Sequence, residues 1–360
     1  MSKKRLPACL LFILIHDPKF NGTKVPFRVC AAKQRIAMKS KFFALASLVL
    51  TMFCAASETS AADKVRFVTD FGYLGRHAYY FVALDKGYYR DANLDVDIVR
   101  GQGSADAVKQ VAAGSAQIGF ADTAALILSR ANDQVPVKMV AVIYDKAPHA
   151  IFALKESGIS KPKDLEGRSV ADAAASSIPR MFPAYAKAAK IDAAKVKWTV
   201  VTSDAIAATL ALGRADAVGY YTISEALLKK AIGSKELVIL TYADAGLDFY
   251  SNGIIADEKV IASNPDLVKR FVSATLHGLR DSIADPEAAA KILNKYHREI
   301  DVDVGTAEVK AVAGLVRKPV EKAGVIELPR MQRTVDIVAE AFTLKQPVKA
   351  EDVYVAGFAQ

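Results

Sequence analysis

Ser104-Ala105-Asp106-Ala107-Val108-Lys109-Gln110-Val111-Ala112-Ala113-Gly114-Ser115-Ala116-Gln117-Ile118-Gly119-Phe120-Ala121-Asp122 is answered ninety-nine residues later by Ser203-Asp204-Ala205-Ile206-Ala207-Ala208-Thr209-Leu210-Ala211-Leu212-Gly213-Arg214-Ala215-Asp216-Ala217-Val218-Gly219-Tyr220-Tyr221. In each copy a Ser able to cap a helix stands ten residues before a Gly able to end it. A short apolar strand follows and stops at residues that can face a cleft. Two such units imply two similar α/β lobes with a site between them. The copies end differently, one on Asp122 and the other on Tyr220-Tyr221.

The surrounding pattern alternates strand and helix from Lys64 onward. Strands are expected at 65–70, 94–100, 137–143, 149–154, 168–171, 196–201 and 237–241, and helices at 78–86, 123–131 and 179–190. This spacing argues for parallel sheets. Asn264-Pro265 and Asp285-Pro286 each set a capping residue before Pro at a first helical position. Further amphipathic helices are expected over 305–317 and 329–342. The 360 residues suffice for two domains.

The formal charge of +9 is misleading as a clue to a polyanionic partner. Ten Lys/Arg and two Asp/Glu lie in residues 1–62, which therefore carry +8 and leave +1 for the rest. No nucleic-acid partner is expected. Cys9, Cys30 and Cys54 lie in the same stretch, so residues 63–360 contain no cysteine. That stretch reads as targeting sequence: basic Met38-Lys39-Ser40-Lys41, an apolar run from Phe42 to Phe53, and small residues at Ser60-Ala61-Ala62. A signal peptide over 38–62, a mature start near Asp63 and a periplasmic or extracellular location follow as expectations. Lipid anchoring through Cys54 is disfavoured because bulky Phe53 precedes it. Residues 1–37 are read as an over-extended start, with Met38 the true first residue.

No catalytic constellation stands out. His77, His149, His277 and His297 show no metal-ligand spacing, and no metal or cofactor is expected. Gly101-Gln102-Gly103 lacks the third glycine of a dinucleotide fingerprint. Binding is better supported, since ligands of open α/β sheets sit beyond the carboxyl ends of the strands. Candidates there are Asp70, Phe71, Tyr73 and His77 after the first strand, Ser104 after the second, and Asp122 and Thr123 after the first repeat. Tyr220 and Tyr221 end the second repeat, and alternation turns at least one of them toward the cleft. Tyr79, Tyr80 and Phe81 are read mainly as core, because consecutive helical positions cannot all face one cleft. Ser176-Ser177-Ile178-Pro179-Arg180 is the best candidate anion site: a helix begins there, and Arg180 could clamp a carboxylate or sulfonate.

Several stretches carry a family resemblance. Ala83-Leu84-Asp85-Lys86-Gly87-Tyr88-Tyr89-Arg90-Asp91-Ala92-Asn93-Leu94-Asp95-Val96 resembles the opening of substrate-binding proteins of ABC importers, in the nitrate/sulfonate/taurine and thiamine-pyrimidine-precursor branch. Lys161-Pro162-Lys163-Asp164-Leu165-Glu166-Gly167 and Leu212-Gly213-Arg214-Ala215-Asp216-Ala217 are similar to that branch's "P-x-D-L-x-G" and "G-x-x-D-A" steps. Tyr250-Ser251-Asn252-Gly253-Ile254-Ile255 and Asn264-Pro265-Asp266-Leu267-Val268 complete the series. The resemblance implies a type II periplasmic-binding-protein fold, two Rossmann-like lobes joined by two crossover segments. Lobe 1 would comprise 64–147 plus 245–360 and lobe 2 148–244. It also implies a monomer that captures a small planar or anionic organic molecule (an aromatic carboxylate, a sulfonate or a pyrimidine) and passes it to an ABC permease at the inner membrane. The family's binding positions map onto Asp70–Tyr73, His77, Ser104, Asp122–Thr123, Ser176–Ser177 and Tyr220–Tyr221. A ligand-binding sensor component is the alternative. A third reading is the suicide enzyme of eukaryotic relatives, which builds the thiamine pyrimidine with pyridoxal phosphate and a cysteine-rich motif. The cysteine-free stretch 63–360 counts against it.

Overall fold

The computed structural model describes residues 61–359. The expectations for residues 1–37, for the export segment as far as residue 60 and for Cys54 lie outside the described residues.

Ten strands form two five-stranded sheets. The first sheet holds β1 (Asp63–Val68), β2 (Leu94–Val99), β3 (Ile118–Asp122), β4 (Val137–Val142) and β10 (Asn252–Asp257), in the order β2-β1-β3-β10-β4. The second holds β5 (His149–Leu154), β6 (Ser169–Asp172), β7 (Lys197–Val200), β8 (Ala217–Tyr221) and β9 (Leu237–Thr241), in the order β7-β6-β8-β5-β9. Each sheet therefore has one order, second-first-third-visitor-fourth, where the visitor is the strand that has just crossed from the other sheet. β3 and β8 hold the same place in the two sheets, and their limits differ by the ninety-nine residues of the sequence repeat.

The sheets are not wholly parallel. β10 runs antiparallel to β3 and β4, and β5 antiparallel to β8 and β9. A strand entering straight from the other sheet lacks the helical crossover that returns a chain to the same end of a sheet, so it runs the opposite way. β10 was not expected from sequence, and all six of its residues are buried.

The helices that place the site are α1 (Ala78–Asp85), α2 (Ser104–Ala112), α3 (Thr123–Asp133), α4 (Ser177–Ala188), α5 (Pro265–Ala284), α6 (Val302–Leu315) and α7 (Leu328–Ala341). Asn264 caps α5 by accepting from the Leu267 N–H, with Pro265 at the first position. The repeat glycines Gly114 and Gly213 adopt φ of +73° and +64°, the left-handed conformation that ends a helix. The repeat serines do not cap. Ser104 Oγ instead accepts from the backbone N–H of Asp122 at 3.1 Å, tying α2 to the end of β3, and Ser203 opens a short 3-10 turn. Tyr79, Tyr80 and Phe81 are all buried; Tyr80 packs on Phe67 and Phe120. Among the described residues no helix is long and apolar enough to cross a membrane.

Two segments connect the sheets, 143–148 and 242–251, and they are bonded to each other. Tyr144 N–H donates to the Asn252 carbonyl at 2.8 Å, and Ser251 N–H to the Tyr144 carbonyl at 3.0 Å. Away from this seam the halves also touch directly. Ala105 N–H donates to the Ala175 carbonyl at 3.2 Å, and Arg100 pairs with Asp204 at 2.9 Å.

Candidate functional site

The ends of β1, β6 and β8 converge on a cavity between the two sheets, with about 320 Å³ of free space that includes its opening to solvent. The first half supplies Asp70, Phe71, Arg76 and Ser104. The second supplies Asp172, Ser176, Ser177 and Ile178 around the start of α4, and Gly219, Tyr220 and Tyr221 from β8. Phe71 and Tyr220 meet edge to face across the gap, ring centroids 6.1 Å apart. Such a wall favours a flat, partly apolar guest.

Asp70 is the hub of the polar side. Its carboxylate accepts from Arg76 Nη1 at 2.9 Å, Asn252 Nδ2 at 2.7 Å and His77 Nε2 at 2.8 Å. His77 Nδ1 accepts from the Leu74 N–H at 3.2 Å, which leaves the ring proton on Nε2, facing Asp70. Burial opposes the Asp70 charge, but the Arg76 cation and the His77 hydrogen bond outweigh it and hold the carboxyl below its usual range. His77 is pushed down to about 4, first by burial and then by Arg76, so it is neutral at pH 7. Arg76 is itself buried, with its guanidinium carbon 5.2 Å from the Tyr221 ring centroid.

Tyr221 spans the halves. Its hydroxyl lies 2.7 Å from Ser177 Oγ and donates to Asn252 Oδ1 at 2.9 Å. Asp172, at the end of β6, is buried and accepts from the Ala173 N–H at 2.6 Å and the Ser176 hydroxyl at 3.0 Å. Burial pushes its carboxyl well above the usual range despite those bonds.

Of the residues expected from sequence, Asp70, Phe71, Ser104, Ser176, Ser177, Tyr220 and Tyr221 line the cavity. Five do not. His77 stands behind Asp70. Tyr73 points away, donating to the Ile98 carbonyl and stacking 3.9 Å from the His297 ring. Asp122 caps α3, accepting from the Ala124 and Ala125 N–H groups and from Ser251, and burial pushes it up to about 7. Thr123 donates to the Ser251 carbonyl. Arg180 is absent from the lining. It lies three residues into α4, about 110° around the helix from the mean direction of Ser177 and Ile178, with Asp133 as the acid acting on it. The helix start is thus at the cavity without the expected clamp.

Sequence reasoning missed Arg76, Asp172 and Gly219, and named Ile178 only as part of the candidate anion site. Ending the β6 strand at 171 rather than 172 dropped Asp172 from the strand-end candidates. Arg76 sits beside His77, yet a buried arginine in a single 3-10 turn leaves no local pattern. Among the described residues no group of three His, Cys, Asp or Glu is placed to hold a metal ion.

A model of the family described as NMT1/THI5 like matches residues 75–289. The riboflavin-binding protein RibY of Chloroflexus aurantiacus is 32% identical over 220 residues, 58% of this chain and 60% of RibY, so the match spans less than two thirds of that relative. The formylaminopyrimidine-binding protein of Halalkalibacterium halodurans is 25% identical over 327 residues, 87% of this chain and 98% of its own length. The solved structure of the alkanesulfonate-binding protein SsuA from Xanthomonas axonopodis pv. citri, bound to MOPS, superposes with a TM-score of 0.67 at 14% identity, covering 83% of this chain and all of SsuA. At that identity the likeness shows the fold, which is that of periplasmic binding proteins.

Proposed function

The chain belongs to the NMT1/THI5-like family, and on that premise we propose that it is an exported solute-binding protein that captures a small planar organic molecule between its halves and delivers it to the permease of an ABC importer. The observation that carries this reading is the cavity itself. Its walls come from both sheets, and the hydrogen bonds of Tyr221 close it on the crossover side. The halves, 64–147 with 245–360 and 148–244, would open and close about the paired crossovers near Tyr144 and Ser251. Binding then stabilises the closed form through contacts available only when both halves meet the guest. Two of the lining hydroxyls are engaged in structural contacts, and no lining serine is hydrogen-bonded to an imidazole. Ser104 serves the Asp122 backbone, Ser177 serves Tyr221, and the nearby imidazole of His77 is turned to Asp70. The export segment read in the sequence supports a periplasmic location.

A thermal-shift screen tests this. Riboflavin, pyrimidines, aromatic carboxylates and sulfonates are added in turn. A ligand at a hundred times its Kd stabilises the fold by about 2.7 kcal/mol, which should raise the melting temperature by roughly 5 °C for a chain of this size. If no planar compound of any class shifts it, the reading fails.

A further inference from the structure

The halves also meet where α6 of the first lies against the 3-10 turn Thr222–Ser224 and the helix Glu225–Ile232 of the second. Glu308 of α6 is buried in that join at 1% exposure, and Ser224 acts on it from the other half. The contact is loose. Glu308 Oε1 and the Ser224 hydroxyl are both buried, and neither has a hydrogen bond of ordinary geometry. On the first-half side Glu308 packs tightly on the turn that carries Arg76: a methyl group at Gly75 would sit 2.8 Å from Glu308 Oε2. Arg76 is the cation that acts on Glu308, but its ion pair is with Asp70. His77 on the same turn is neutral and faces Asp70. Tyr144 of the first crossover and Tyr220 of β8 feel the Glu308 charge, and burial pushes both phenols up, so they are uncharged. In the helix 225–232, Glu225 pairs with Lys229, and Lys230 with Asp301. The other helices packed on α6 also spend their charges elsewhere. Pro286–Tyr296 sets Lys291 on Glu287 and Lys295 on Asp85, and α5 sets Arg270 on Asp63 and Asp281 on Lys86.

We infer that Glu308 is a proton-linked opener of the cleft: closing the halves buries its carboxyl against Ser224, so closure takes up a proton and is favoured in acid. This rests on the opening and closing proposed above. A change of angle that parts α6 from residues 222–232 admits water to Glu308 Oε1 and to the Ser224 hydroxyl, two groups left unsatisfied when the halves meet. A hydrated carboxyl ionises in the ordinary range, and closing must then strip water from a charge. In the closed form burial pushes Glu308 up to about 7. Closure therefore takes up a proton between roughly pH 4.5 and 7, weakens as pH rises through that window, and levels off above it. Arg76 carries the effect to the cavity. Its guanidinium serves Asp70, a lining carboxylate, and an ionised Glu308 in the closed form competes for it.

Solution scattering of the unliganded protein from pH 5 to pH 8 tests the inference without a ligand, with the melting temperature recorded at each pH to confirm folding. The radius of gyration is expected to rise with pH as the closed-to-open ratio falls, by up to about a hundredfold over this range. Glu308→Gln fills the same space without a charge and is expected to lose more than half of that change, the remainder belonging to groups such as buried Asp122. Should Glu308→Gln fail to fold, Glu308→Met, of similar length and uncharged, is expected to do the same. A wild-type radius that does not change with pH overturns the inference, and the thermal-shift screen then decides the binding role separately. A variant that keeps half or more of the wild-type change also overturns it, while showing that the halves still open and close.

Discussion

Gly103→Ala should act as a wedge. Gly103 has φ of +143°, and a Cβ there would meet the Ala175 carbonyl carbon and oxygen at 2.3 Å and the Ala175 Cβ at 2.7 Å. Ala175 belongs to the other half, in the loop before α4. Ordinary contact begins near 3.4 Å, so the halves must part by about 1 Å at this point. That displacement stretches the Ala105–Ala175 hydrogen bond and the Arg100–Asp204 pair beyond bonding distance. The hydrogen bond contributes about 1 kcal/mol, the exposed ion pair at most about 1 kcal/mol, and residual overlap about 1–3 kcal/mol. Closure should therefore lose about 2–5 kcal/mol, and ligand affinity about 30-fold to several thousand-fold. Backbone strain at positive φ is felt equally in open and closed forms, so it lowers the melting temperature without touching affinity. Gly114→Ala isolates that part, since Gly114 has φ of +73° and open space around it. Calorimetry with whichever ligand the screen identifies, together with solution scattering, reads both effects. If Gly103→Ala keeps wild-type affinity and the same scattering profile, closure across Ala175 is not what holds the ligand.

Three further outcomes are expected. Asp70→Asn leaves Arg76 buried without its carboxylate and should cost about 3–5 kcal/mol in urea unfolding; because the folded pKa of Asp70 is depressed, its contribution is present at neutral pH and lost as pH falls through the acid range. Glu308 behaves oppositely. Burial pushes it up to about 7, so the folded state binds its proton more tightly than the unfolded chain, and stability should fall by up to about 3 kcal/mol between roughly pH 4.5 and 7. Glu308→Gln should remove that share of the slope, seen by comparing urea midpoints at pH 5 and pH 8, while buried Asp122 keeps its own. Arg180→Ala should leave ligand affinity within about twofold, because its side chain lies off the lining; a tenfold loss by calorimetry would return Arg180 to the site.

What the sequence made legible was whatever local pattern encodes. Gly114 and Gly213 end their helices as read, and β3 and β8 fall where the apolar runs stand. β10 was not legible, because Asn252–Asp257 is a strand only through partners in β3 and β4 that lie more than a hundred residues earlier. The cavity lining was legible as far as strand ends could be placed. A one-residue error on β6 lost Asp172, and the turn of α4 carried Arg180 away while bringing Ser177 and Ile178 in. Arg76 needed knowledge of which charges meet in space. Its partner Asp70 was in view, but no spacing rule links a strand-end carboxylate to an arginine in a 3-10 turn six residues on.

The repeat is most informative where its copies diverge. Asp122 and Tyr221 are equivalent positions, last in β3 and β8. The acid turns inward to cap α3, so its charge is spent on the first half. The tyrosine is followed by a 3-10 turn, and its hydroxyl is free to reach outward. Between them stand Ser251 and Asn252, where the second crossover enters β10. Ser251 Oγ lies 2.9 Å from both Asp122 Oδ2 and Asn252 Oδ1, donating to one at a time. Asn252 then accepts from Tyr221 and donates to Asp70. Ser251 and Asn252, where the connecting segment meets β10, thus hold both repeat ends and the cavity's principal carboxylate in one hydrogen-bonded run. Any change in the angle between the halves must break the Tyr221–Asn252 bond or carry Asn252 with it, and Asn252 cannot move without disturbing Asp70. The divergence of the copies therefore places the connection between halves inside the wall of the cavity.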